Sequence, residues 1–291
     1  MPNSLTIEKR VEILFTNLDK RLSKASMPNS GNLATHLNDI TDKAERNNTS
    51  IVSVDKYVME LFATAAVEMW QRGVHSFLIS SSLTNVSPIW SSVSGYYASH
   101  YCVRGLAHLL GYFQLHGRKK VVRFNIEKGK YNCSIEKKGG SDREHKFYWK
   151  TVKQDLNFCD NPFFTVNEDV SNKPDAESDV GHRNKANYFD HINNFPSFCP
   201  LSEVVLKDRI DYLSKIQLSA VPLPRKSKYP DIDNVQMVAY HRLIIFRSLL
   251  DNILGGSNTF WKVHRNPAWC SAYINFQVVK PLFMEAYSTI V

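Results

Sequence analysis

The chain has few of the signatures that announce a common chemistry. It contains no G-x-x-x-x-G-K-[ST] phosphate loop, no G-x-G-x-x-G following a strand, no H-E-x-x-H pair and no G-x-S-x-G elbow. Nucleotide cradling, zinc-protease and serine-hydrolase chemistry by those routes are therefore not indicated. Its five cysteines, Cys102, Cys133, Cys159, Cys199 and Cys270, are scattered and include no C-x-x-C pair. That argues for free thiols and against a disulfide framework or a structural zinc site. No uncharged apolar run reaches the ~18 residues of a membrane span, and the start MPNSLTIEKR lacks the apolar core of a signal peptide. The expectation is a soluble, cytoplasmic protein with no membrane partner, no metal site and no required cofactor. No internal repeat is found.

What is present is enough apolar residue, 43% of 291, to fill a substantial core. The longest helical pattern with small residues on it is Pro88 to His116, PIWSSVSGYYASHYCVRGLAHLLGYFQLH. Ser92, Gly95, Ala98, Ser99, Cys102, Gly105, Ala107 and Gly111 would let neighbouring helices approach closely, so this segment reads as a central buried helix. On it His100, Arg104 and His108 fall at i, i+4 and i+8, a single polar stripe at ~3.6 residues per turn. A second stripe, Arg183, Asn187 and His191, repeats the spacing in HRNKANYFDHINN.

Around these segments the chain reads as follows. Ser4 to Lys24 forms an amphipathic helix, Asn29 to Ser50 an exposed connection with a short helix near Leu33 to Leu37, and Val54 to Gly73 a second helix. The Ser-rich segment His75 to Ser87 reads as a connection into Pro88. Beyond Gly117 the period becomes alternating, and Val121 to Ile126, Tyr131 to Ile135 and Lys146 to Lys150 read as strands of a small antiparallel meander. An acidic polar stretch, Asn167 to Gly181, reads as a loop, and Leu201 to Leu218 as a helix. After the three prolines of Val221 to Pro230, Asp233 to Leu254 is a helix signalled at both ends. The predicted fold class is mainly α, a helical bundle over about residues 1–220 with a small antiparallel β insert at about 118–153, and a C-terminal helical extension over 231–291.

Charge is concentrated in one place. From Arg118 to Lys153 there are 12 Lys and Arg against 4 Asp and Glu, a surplus equal to the formal net charge of +8 for the whole chain. A local electropositive surface fits an anionic partner, nucleic acid above all. Arg118, Lys119, Lys120, Arg123, Lys130, Lys137, Lys138, Arg143, Lys146 and Lys150 are the candidate nucleic-acid-binding residues. Phe124, Tyr131, Phe147, Tyr148 and Trp149 lie among them and could stack on unpaired bases or pack the sheet. Lysines on a hairpin also discourage strand addition, the simpler explanation of the same charges.

The segment Ser92 to Ala98 (SVSGYYA), followed by Arg104-Gly105-Leu106-Ala107 and later by Arg183-Asn184-Lys185-Ala186-Asn187-Tyr188, resembles the HEPN superfamily over roughly residues 54–194. That resemblance implies a small helical bundle and, for many members, a metal-independent endoribonuclease with an Arg-x4-6-His motif at a homodimer interface, in toxin or antiviral defence systems. Here seven residues separate Arg183 from His191. Transfer to a ribose 2′-OH needs a general base, a general acid and a cation for the phosphorane charge, which His and Arg supply. The catalytic candidates are therefore Arg183, Asn187 and His191, together with His100, Arg104 and His108. Two other readings stay open: a non-catalytic interaction subunit that binds nucleic acid or a partner protein, and a phosphate-bearing small-ligand pocket gripped by Arg104 or Arg183.

Overall fold

The computed structural model describes residues 7–16, 18, 22, 28–84, 87–137, 144–155, 230–255 and 259–265. Helix accounts for 72% of them, with one small four-stranded antiparallel sheet, so the fold is mainly α with a small β insert. In chain order the elements are α1 (Ile7–Phe15), α2 (Ser30–Arg46), β1 (Ile51–Ser53), α3 (Tyr57–Leu83), α4 (Pro88–Leu109), β2 (Tyr112–Leu115), β3 (Lys120–Glu127), β4 (Lys130–Lys137), α5 (Glu144–Asp155), α6 (Pro230–Leu254) and α7 (Thr259–Arg265). They divide into two compact units that are not contiguous in sequence. The first holds α1, α2, the sheet, α5, α7, α3 as far as Met69, α4 from Val103 and α6 from Leu249; the second holds the remaining lengths of α3, α4 and α6. The C-terminal segment thus contributes α6 to both.

In the first unit α2 replaces the expected exposed connection. Its polar composition hides an apolar face, Leu33, Leu37, Ile40 and Ala44, all buried at helical spacing. The Asn29 side chain accepts hydrogen bonds from the Gly31 and Asn32 amides, and Glu68 of α3 accepts one from the Ser30 amide. These satisfy three of the donors a helix start leaves over.

The sheet has the order β1-β4-β3-β2. The β3–β4 hairpin lies where alternation predicted it, closed by Lys128-Gly129 with φ 49 and 75, the positive pair that matches the twist of two-residue hairpins. Two strands had not been expected. The helical pattern runs to His116 in the sequence, but α4 ends at Leu109, and Gly111 at φ 82 redirects the backbone into β2. A Cβ on Gly111 would meet the Phe124 carbonyl oxygen at 2.6 Å, so only glycine permits this approach. Beyond it Phe113, Gln114 and Leu115 are all buried. At the opposite edge, Ile51 to Ser53 pairs with Asn132 to Ser134.

The third expected strand, Lys146 to Lys150, is instead part of α5, which buries Tyr148, Trp149 and Val152. The β preference of consecutive aromatics yields here to burial at i, i+1 and i+4 on one helical face. The inward face of the sheet is Val52, Phe113, Val122, Phe124, Cys133 and Ile135, and Phe62 of α3 stacks on Phe124 with centroids 5.8 Å apart.

In the second unit α3 runs on through Gly73 and the serines read as a connection. Gly73 is held within the helix by its neighbours: a Cβ there would lie 3.1 Å from Leu243 Cδ2 and 3.5 Å from the Ala98 carbonyl oxygen. The serines face a buried polar cluster. Ser80 Oγ donates to the Ser91 carbonyl and Ser91 Oγ to the Ser80 carbonyl, each at 2.7 Å. Gln236 Nε2 of α6 lies 3.0, 2.8 and 2.9 Å from Ser80 Oγ, Thr84 Oγ1 and Ser91 Oγ. This cluster ties α3, α4 and α6 together, because a slipped helix would leave buried hydroxyls without partners.

Candidate nucleic-acid interface

The two histidines of the central stripe are buried rather than open to a substrate. His108 is fully buried. Its ring stacks on Phe113 at 5.3 Å and meets Tyr148 edge-on at 5.9 Å and Phe62 at 6.4 Å. Nδ1 lies 3.1 Å from the Tyr112 carbonyl, which fixes the proton on that nitrogen, while Nε2 is buried without a hydrogen-bond partner among the described residues. Burial, reinforced by the Arg104 charge and opposed by the Tyr112 bond, pushes its pKa down to about 3. At neutral pH His108 is an uncharged ring packed among rings, with no access for a ribose hydroxyl. Arg104 is half-buried, its guanidinium carbon 5.5 Å from the centre of the Tyr148 ring, a cation–π contact. His100 lies in the second unit, 3% exposed, stacked with Tyr96 at 6.1 Å and flanked by Tyr97 and Tyr101.

The basic segment separates into two kinds of cation. Arg118 is bonded to Asp42 and lies 3.7 Å from Glu45, and Lys120 is bonded to Glu45. The Arg118 hydrogen bond holds the Asp42 carboxyl below its ordinary range, and Asp42 raises Arg118 in return. These two residues fasten the start of β3 to α2. Lys119, Arg123, Lys130, Lys137 and Lys150 are exposed. So is Lys128, which was not among the sequence candidates. Lys138 and Arg143 lie outside the described residues, as do Arg183, Asn187 and His191; Lys146 falls on α5.

The outward face of the sheet follows from its register. One row across the four strands is Ile51, Ser134, Arg123 and Tyr112; the row beside it is Ser53, Asn132 and Asn125. Ile51 is 58% exposed, and Ser53 and Arg123 are exposed as well. The Arg123 guanidinium carbon sits 5.1 Å from the centre of the Tyr112 ring. Tyr112 reaches this face only because Gly111 ends α4, a break that the helical pattern of Pro88 to His116 concealed.

Among the described residues no three His, Cys, Asp or Glu side chains gather as a metal site, and no helix is long and apolar enough to cross a membrane. Set against models of protein families, curated proteins and solved structures, the chain matches none of them.

Proposed function

We propose that this chain is an RNA-directed protein of HEPN-like build that engages RNA through its β insert, and that Arg183, Asn187 and His191 carry metal-independent cleavage of the bound strand. The observation that supports binding is the division of the basic segment. Arg118 and Lys120 are neutralised by α2, whereas Lys119, Lys128, Lys130 and Lys137 stand at the two ends of the hairpin with their side chains exposed. A phosphate backbone is the ligand that a row of separated cations fits, since each contact releases a condensed counterion. The nuclease component rests on the resemblance: Arg183 stabilises the phosphorane charge and His191 transfers the proton.

A second reading, RNA binding without cleavage, is favoured by the burial of His100 and His108, which leaves the central helix without an accessible proton-transfer group among its described histidines. The test is incubation of the protein with single-stranded RNA and with tRNA in the presence of EDTA, beside Arg183→Ala. Cleavage that disappears in the variant supports the nuclease. Absence of cleavage, with salt-sensitive binding retained, selects the binding protein; absence of both refutes the RNA-directed reading.

A further inference from the structure

The open end of the β3–β4 hairpin is basic until α2 is added to it. Arg118, Lys119 and Lys120 are consecutive, and strand register places Lys120 directly opposite Lys137. Both lysines belong to the sheet face that carries Val122 and Ile135, whereas Glu136 falls on the other face by alternation. Two like charges opposed across a strand pair are destabilising by themselves. The compensating acids come from α2. Asp42 is bonded to Arg118, and Glu45 is bonded to Lys120 and lies 3.7 Å from Arg118. Asp39, one turn earlier on α2, adds its field at Arg118. As fasteners these pairs are weak: the Asp42 and Glu45 side chains are 45% and 50% exposed, and ion pairs so open to water contribute little to stability. Their larger effect is on the charge that the hairpin presents.

We infer that α2 is an autoinhibitory element of the RNA site: Asp42 and Glu45 occupy Arg118 and Lys120 as phosphates would, and so withhold two cations from the strand. This role rests on the RNA-directed reading above and adds its regulation. The two carboxylates have the chemistry of a competitor. They stand three residues apart on one helix, with Cβ atoms ~5–6 Å from each other, and each is an anionic acceptor for a guanidinium or an ammonium, as a phosphate is. Held beside their cations by the fold, they compete at an effective concentration that a phosphate arriving from solution does not match. In the native chain RNA therefore engages the exposed lysines alone. The withheld cations adjoin Lys119 and Lys137, which are exposed. Loss of the Asp42 and Glu45 charges joins all four into one cationic group at the end of the hairpin.

The deciding comparison is between the native protein and the double variant Asp42→Asn, Glu45→Gln, each titrated by fluorescence anisotropy with a labelled single-stranded RNA over a range of salt. Two released cations add two phosphate contacts at ~0.7 each, so the slope of log K against log salt steepens by about 1.4, and affinity at ~0.1 M salt rises at least about tenfold. The pair Glu8→Gln, Asp55→Asn adds the same net charge at exposed carboxylates that hold none of these cations, and it is expected to leave the slope unchanged. Glu45→Gln alone releases Lys120 while Asp42 keeps Arg118; it steepens the slope by about 0.7 and carries the test if thermal melting shows the double variant unfolded. An unaltered slope in both α2 variants, or an equal change in the charge-matched pair, overturns the autoinhibition while leaving RNA binding intact. Failure of the native protein and the double variant alike to bind RNA overturns the autoinhibition and the RNA-directed reading together.

Discussion

The buried imidazole of His108 makes the stability of the fold depend on pH in a calculable way. Its pKa falls from the ordinary 6.5 to about 3 on folding, so between those values the unfolded chain binds a proton that the folded chain refuses. The stabilisation linked to His108 is complete above pH 6.5 and is lost as pH falls towards 3. At pH 5 the unfolded imidazole lies 1.5 pH units below its pKa, which at ~1.4 kcal/mol per unit corresponds to about 2 kcal/mol of lost stability. The perturbation is His108→Asn, whose amide can keep the donor to the Tyr112 carbonyl but does not titrate in this range. Urea unfolding of both proteins at pH 7 and pH 5 is the assay. The variant is less stable at pH 7 because it leaves a void between Phe62, Phe113 and Tyr148. The difference between the two proteins narrows by about 2 kcal/mol at pH 5, since only the native chain carries the His108 penalty. A difference that is constant with pH would mean that His108 titrates normally. The closed, aromatic environment described for it would then be wrong, and the case against a proton-transfer role would fail with it.

Two further substitutions probe the packing that positions the sheet and the helices. Gln236→Ala removes the amide that reaches Ser80, Thr84 and Ser91 and leaves a void beside them; it should cost about 3 kcal/mol in chemical denaturation. Gln236→Leu, which keeps the volume, should cost less, and equal stability of Gln236→Ala and the native protein would contradict the cluster. Gly111→Ala places a Cβ 2.6 Å from the Phe124 carbonyl oxygen at a φ of 82. It should destabilise by at least about 2 kcal/mol, from left-handed strain and a backbone collision together, as read by the shift in thermal midpoint.

Local periodicity made much of this architecture legible. The hairpin was readable because Val122, Phe124, Cys133 and Ile135 alternate with polar residues, and α6 because its apolar run ends at Gly255-Gly256. Elements went astray where local preference and tertiary surroundings disagree. The serines of α3 carry little apolar signal because their partner is Gln236, more than 140 residues away. The aromatics of α5 favour a strand until burial selects a helix. The candidate interface was legible as charge but not as geometry. Nothing near Arg118 or Lys120 in sequence reveals that Asp42 and Glu45, some 75 residues upstream, neutralise them. Tyr112 carries no local strand signal, because the helical pattern continues through Gly111. His100 and His108 stand eight residues apart on α4, yet spacing carries no information about depth: the same pattern would arise on an exposed face, whereas both histidines are buried.

The measurement that bears most directly on the account is the salt dependence of RNA binding by the native protein and by a variant with Lys119, Lys128, Lys130 and Lys137 all changed to Gln. Four phosphate contacts predict that log K falls with log salt at a slope of about −3, from ~0.7 per contact on a single strand. The variant is expected to bind weakly with a slope near zero, while Arg118→Gln, which removes a cation already bonded to Asp42, leaves the slope unchanged. An unaltered slope in the fourfold variant, or a slope that falls only in Arg118→Gln, would contradict the assignment of RNA binding to the exposed cations of the hairpin.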